Sequence, residues 1–266
     1  MKYRSIIAAV LFLLAVTAIS AHAQGTVISL TVDGAQRQAL VFAPAPVPTN
    51  NGGAKHPLVF AWHGHGGNMQ GTSQLMHLQD LWKEAVVVYP QGLKSATPGD
   101  PSAQRNGFQW SPGENNDRDL HFFDALLAKL KQSYAIDDDR VYSTGFSNGA
   151  IFSYLLWAER GRTFAAFAVV SGFIAPSVNL SIARPAEIIG GSNDHVADFP
   201  KQQQAMQTVR ELDQATGNGQ ACGPICLRYA SASQNPVVTR IHPGGHVYQP
   251  WTPAAVVEFL KLHKRT

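Results

Sequence analysis

Cysteine is nearly absent from this chain. The only two in 266 residues are Cys222 and Cys226, in "ACGPICLRY". This excludes a small scaffold built on disulfides, and the pair alone offers too few ligands for a zinc site, so no metal is expected. In an exported chain such a close pair reads as one disulfide closing a short loop. An excess of either charge is also lacking, with 21 Lys and Arg against 18 Asp and Glu, and Lys2 and Arg4 fall in the leader. Such a balance carries no electrostatic footprint for nucleic acid or an anionic surface, so neither nucleic acid nor membrane is expected as a partner. Long apolar runs are missing beyond the leader. The run inside it, Ile6 to Ile19, falls short of the roughly 20 residues that span a bilayer. With Lys2 and Arg4 before it and Ala21-His22-Ala23 after it, residues 1–23 read as a secretory signal cleaved before Gln24, which implies a secreted or periplasmic protein. Internal repeats and low-complexity tails are lacking as well.

What is present is a 45% hydrophobic chain whose residues 24–266 suffice for one α/β domain with a large core. Short apolar runs alternate with longer amphipathic ones, the order that gives parallel strands joined by helices. The strand candidates are 57–64, 85–92, 140–145, 164–172, 186–191 and 236–245, each running into a glycine. Between and after them lie helix candidates at 71–84, 119–134, 148–160, 201–216 and 252–263. Leu120, Phe123, Leu126, Leu127 and Leu130 recur at helical spacing, so that helix should lay one face on the sheet. Ahead of this core an antiparallel hairpin is expected around Asp33-Gly34, a strong turn signal. Residues 43–57, rich in Pro, Asn and Gly, read as a surface loop. A second irregular stretch, 92–117, is long enough to suggest function, and Phe108 and Trp110 favour order in it.

The chemistry centres on Gly145-Phe146-Ser147-Asn148-Gly149. A strand that turns at once into a helix crowds the positions two before and two after the turn, where only small residues fit, and the serine is held strained with its hydroxyl exposed. The pattern falls on a predicted strand-to-helix junction, so Ser147 reads as a nucleophile. Serine needs a base that is itself oriented by a third group. In this type of fold the order is Ser, then acid, then His, each after a later strand. Asp194 in "GGSNDHVADF" and His246 in "HPGGHVYQPW" satisfy that order. His242 and His195 compete for the base, and Asp198 for the acid. The oxyanion of the intermediate needs N–H donors, expected from Asn148 and from the loop His63-Gly64-His65-Gly66-Gly67-Asn68. That glycine-rich turn could by itself suggest a phosphate cradle, but its spacing matches neither the P-loop nor the dinucleotide fingerprint, and no cofactor is expected.

"AWHGHGGN", "RDLHFFDALLAKLKQSYAIDDDRVYSTGFSNGA", "GGSNDHVADF" and "GGHVYQPW" together resemble the secreted esterases grouped with feruloyl and acetylxylan esterases and with polyhydroxybutyrate depolymerases. The resemblance covers nearly the whole chain after the leader, and "D-x-x-R-V-Y-x-T-G-x-S-N-G" is its most specific part. It implies the α/β-hydrolase fold: a mostly parallel central sheet, helices on both faces and an N-terminal antiparallel hairpin. It further implies a Ser147–His246–Asp194 triad with His65 and Asn148 at the oxyanion. Two departures bear on the substrate pocket: Arg118-Asp119 where the family often has paired aspartates, and His65 where it often has cysteine or glycine. Phe108 or Trp110, on a loop after a strand whose C-terminal end should face the site, would either line an acyl pocket or simply pin the long loop onto the core. The expected activity is hydrolysis of feruloyl, acetyl or polyhydroxyalkanoate-type esters, small or polymeric, through an acyl-enzyme. The alternatives are a same-fold acyltransferase or a non-catalytic binding protein on the same scaffold.

Overall fold

The computed structural model describes residues 25–44, 55–97 and 99–265. The signal and its cleavage before Gln24 lie outside them, as does most of the loop expected at 43–57. The described chain runs β1 (Thr26–Val32), β2 (Ala35–Phe42), β3 (His56–Trp62), α1 (Met69–Met76), α2 (Leu78–Leu81), β4 (Val86–Pro90), β5 (Leu93–Lys94), β6 (Asn106–Gly107), α3 (Arg118–Ser133), β7 (Ile136–Phe146), α4 (Asn148–Arg160), β8 (Ala166–Val170), β9 (Ala186–Gly191), α5 (Phe199–Leu212), β10 (Gln220–Gly223), β11 (Cys226–Tyr229), β12 (Val237–His242) and α6 (Thr252–Lys261). Among the described residues, no helix is long and apolar enough to cross a membrane.

One sheet has the order β1-β2-β4-β3-β7-β8-β9-β12-β11-β10. The six strands from β4 to β12 are parallel, and antiparallel pairs flank them on both sides. The expected hairpin is β1–β2, with Asp33 and Gly34 both at positive φ in its turn. Parallel strands buried on both faces should alternate their side chains between two cores, and β3 does so. Leu58, Phe60 and Trp62 join one core with α3, α4 and α5. Val59 and Ala61 join the other, with α1, α2 and α6.

The secondary structure differs from the sequence reading at the first helix and around the cysteines. The helix expected at 71–84 is two, because His77 turns left-handed at φ 33°. The break is held from outside, since Tyr89 Oη on β4 accepts the Leu78 N–H at 3.0 Å and donates to Gln79 Oε1 at 2.6 Å. The hairpin β10–β11 was not anticipated, because β10 is exposed throughout and shows no apolar alternation. The Cys222–Cys226 disulfide joins its two strands.

Strand order also locates the crevice. The chain leaves β3 to form β4 on one side, then returns to form β7 on the other. At such a reversal the loops after the two central strands diverge and leave room for a ligand at the carboxyl ends. Here those loops begin at His63 and Ser147.

Candidate active site

Ser147 sits between β7 and α4 at φ 55° and ψ −120°, a conformation that a residue with a side chain adopts only when its surroundings impose it. The imposing contacts are steric. A Cβ on Gly145 would lie 2.4 Å from the Gly149 carbonyl, and a Cβ on Gly149 would lie 2.3 Å from the Trp62 carbonyl oxygen. Strand, helix and neighbouring strand thus touch backbone to backbone. The Ser147 N–H donates to Val170 O at 2.9 Å, and its carbonyl accepts from Ala150 and Ile151, so the turn is tied on both sides.

Two further residues converge on it. Ser147 Oγ lies 2.8 Å from His246 Nε2, and His246 Nδ1 lies 2.8 Å from Asp194 Oδ2. The Phe146 ring packs on the imidazole with centroids 4.9 Å apart. Asp194 is buried, and burial alone would raise its pKa. The hydrogen bonds from His246 and from the Val196 and Ala197 N–H groups outweigh that and hold the carboxyl below its usual range. An ionised carboxylate that accepts from Nδ1 fixes the tautomer with Nε2 free to take a proton.

Asn148 is the first residue of α4, where helix geometry leaves the backbone N–H without an intrahelical partner at the positive end of the dipole. The loop after β3 runs against the same spot, for a Cβ on Gly64 would come 3.4 Å from Ser147 Cβ. Buried His63 holds that loop. Its Nε2 accepts the Gly92 N–H at 2.9 Å, which leaves Nδ1 to donate to Gly64 O at 2.8 Å, and burial lowers its pKa. The His65 side chain meets the long loop, its Nε2 3.3 Å from Asp100 Oδ2. The Arg105 N–H, helped by Gln104 and His65, holds the Asp100 carboxyl below its usual range.

The long loop 92–117 crosses beside these groups, stitched by the short pair β5–β6. The Asn148 side chain clips it at both backbone groups of Phe108: Oδ1 accepts the N–H at 2.6 Å and Nδ2 donates to the carbonyl at 3.0 Å. This clip faces the Phe108 ring inward, so of the two readings for this ring the loop pin holds and the acyl wall does not. Phe108 is fully buried against Trp62, His63 and Phe152, and offers no wall to a ligand. Trp110 is only partly buried, and lines a cleft of about 490 Å3 with Ser95, Thr97, Glu114 and Asn115. The departure at Arg118-Asp119 is an anchor. Asp119 takes the buried Arg37 at 2.5 Å on one oxygen and the Gln109 N–H at 2.8 Å on the other.

The competing candidates stand apart. His242 is buried, burial lowers its pKa, and its Nδ1 accepts the Gly244 N–H. His195 is exposed, and Asp198 pairs with Lys201 on the surface. Sequence reasoning missed His63 as a loop anchor, the Asn148 side chain as a clip, and Gln202, which donates to Asp194 Oδ2 at 2.8 Å. None of these carries a local signal, because the partners lie on other elements. Among the described residues there is no cluster of three or more His, Cys, Asp or Glu able to hold a metal.

The fold is that of the α/β-hydrolases. A solved ferulic acid esterase superposes with a TM-score of 0.63 at 16% identity, covering 90% of this chain and 97% of that one. An acetyl xylan esterase from Aspergillus awamori gives 0.67 at 15% identity, covering 89% and 99%. In sequence the chain is similar to feruloyl esterase D of Neurospora crassa, 30% identical over 162 residues, 56% of this chain and 49% of that protein. It is also similar to a bifunctional acetylxylan esterase/xylanase of Neocallimastix patriciarum, 27% identical over 184 residues, 67% and 24% of the two chains. The chain spans about half the length of the feruloyl esterases it matches. No family model matches it. The resemblance to feruloyl and acetylxylan esterases of the α/β-hydrolase type is thus carried by sequence and by fold.

Proposed function

We propose that this protein hydrolyses carboxylic esters through an acyl-enzyme on Ser147, with feruloyl or acetyl esters of plant polysaccharide as its substrates. The observation that carries the reading is the chain of two 2.8 Å hydrogen bonds from Ser147 Oγ through His246 to Asp194, anchored on a strained elbow. Ser147 Oγ attacks the ester carbonyl carbon while His246 Nε2 takes the hydroxyl proton. Asp194 keeps the imidazole oriented and stabilises its positive charge. The negative charge on the carbonyl oxygen is met by the N–H groups of Asn148 and His65, aided by the N-terminal dipole of α4. Collapse of the intermediate breaks the bond to the alcohol oxygen, which leaves with the proton from His246. Water then repeats the sequence on the acyl-enzyme, releasing the acid and restoring Ser147.

The protein is read as exported, and the Cys222–Cys226 disulfide supports an oxidising compartment. The test is a panel of methyl ferulate, acetylated xylan, p-nitrophenyl esters of increasing chain length and polyhydroxybutyrate, run beside Ser147→Ala and labelling with a fluorophosphonate. Label on a residue other than Ser147, or hydrolysis that survives Ser147→Ala, would overturn the mechanism. Transfer of the acyl group to added alcohol in preference to water would move the protein to the acyltransferases.

A further inference from the structure

Gln202 is fully buried in the first turns of α5, a costly place for an amide unless its hydrogen bonds are used. Both of its donor hydrogens are used. Nε2 donates to Asp194 Oδ2 at 2.8 Å and to Ala197 O at 2.7 Å. Because both neighbours are acceptors, nitrogen and not oxygen must face them, which settles the orientation of the amide. The same Oδ2 receives His246 Nδ1, while Oδ1 receives the N–H groups of Val196 and Ala197 at 2.9 Å each. Room for the amide comes from β9, where a Cβ on Gly190 would lie 2.4 Å from Gln202 Oε1.

We propose that Gln202 is a positioning residue for the proposed hydrolysis: its amide holds Asp194 in the rotamer that meets His246 and shares the oxygen that the histidine uses. The inference rests on the functional reading of Ser147, His246 and Asp194. The backbone donors on Oδ1 fix one end of the carboxylate, but a carboxylate can still rock about that end. The amide on Oδ2 stops the rocking. It also takes part of the acceptor capacity of that oxygen, so the carboxylate pulls less strongly on the imidazole proton. Other titratable groups near this carboxylate are His242, whose pKa burial lowers, the exposed His195, and the surface pair Asp198–Lys201 at 3.4 Å.

The test uses Gln202→Leu and Gln202→Glu in the full chain. The leucine variant fills the space without a donor. We expect kcat to fall about 10- to 100-fold with KM nearly unchanged, the size expected when a residue supporting a reacting group is lost. The ascending limb of kcat/KM against pH should move up by about half a unit to one unit, since Asp194 then serves the imidazole alone. The downfield proton resonance of His246 Nδ1–H should shift as well, a readout that needs no turnover. Glutamate places a second acid against Asp194. Protonated, it can still donate to Oδ2; ionised, it repels it. Activity of Gln202→Glu should therefore fall with rising pH over a range where the parent protein gains. If Gln202→Leu does not fold, the inverted profile of Gln202→Glu carries the test. A parent-like profile and an unshifted resonance in a folded variant would overturn the proposal. A parent protein inactive on every ester, or active without Ser147, would overturn the functional reading instead.

Discussion

The elbow at Ser147 and the loop 92–117 meet at one residue, Asn148, yet they are held by opposite means. The elbow is held by contact between near neighbours and adjacent strands, where there is no space for a side chain on Gly145 or Gly149. The loop is held by polar bonds to other elements: Phe108 to Asn148 across 40 residues, and Gln109 to Asp119 of α3, which is itself tied to Arg37 of β2 across 82. Steric exclusion permits one geometry and tolerates almost no change. A set of separate hydrogen bonds can lose members singly and move by degrees. A nucleophile needs the first kind of support, and a surface that selects substrates is better adjusted with the second.

The comparison can be broken most forcefully at the elbow. Ser147→Ala should lower kcat/KM on the order of 10⁴-fold or more while leaving the melting temperature nearly unchanged, because only a hydroxyl is lost. The next largest effect belongs to the loop anchor. Asp119→Ala leaves the buried Arg37 without its carboxylate, and chemical denaturation should show a loss of about 3–5 kcal/mol. If that variant is as stable as the parent, the long-range stitching is not what holds the loop. Phe108→Ala should cost a similar amount, about 3–5 kcal/mol. It should depress activity on methyl ferulate and p-nitrophenyl acetate together, as an anchor would. Trp110→Ala should give the smallest change in melting temperature and a larger loss of kcat/KM on methyl ferulate than on p-nitrophenyl acetate. Equal losses would show that the Trp110 cleft does not read the acyl group.

A pH series compares both regions with the rest of the sheet. Burial, only partly offset by Arg240 at 2.7 Å, pushes the Glu187 carboxyl up to about 7. Burial likewise pushes Asp213 up to about 8, against the Arg184 N–H. Both acids bind a proton more tightly folded than unfolded. The stability they contribute is therefore complete below about pH 4 and lost as pH rises through about 7 and 8. Melting temperature should fall between pH 5 and pH 9, and Glu187→Gln should flatten the early part of that fall. The proposed mechanism needs an unprotonated base, so activity should rise with pH over part of the same range. The pH of best activity should then lie above the pH of best stability.

The same contrast explains how far the sequence could be read. The elbow was legible because its cause is local, two glycines flanking Phe146-Ser147-Asn148 at a strand end. Asp194 and His246 were legible because chain order and strand ends restrict where partners can lie, and the structure brings both to hydrogen-bonding distance of their neighbours. The helices α3 and α4 came out within a residue or two, since burial on one face writes a periodicity into the sequence. What failed depended on distant partners. Nothing near His77 announces that a tyrosine on β4 will hold a break there. Nothing near Phe108 says that an asparagine 40 residues away will turn its ring inward. Gln202 reads as one polar residue in a polar stretch until β9 and the Asp194 loop are folded against it.

The hairpin β10–β11 ends one side of the sheet, and its outer strand is exposed along its whole length. An open strand edge can recruit a strand from another molecule, which is how many β-rich proteins begin to aggregate. This edge is blunted by its shortness, by a register shift between Ala221 and Gly223, and by the bond from Cys222 to Cys226 that ties its two strands together. Closing so short a ring adds only about 2 kcal/mol to folding on chain entropy. Its larger effect is colloidal: a reduced sample should keep its catalytic rate when fresh and lose it on storage, as particles seeded at this edge remove active protein from solution.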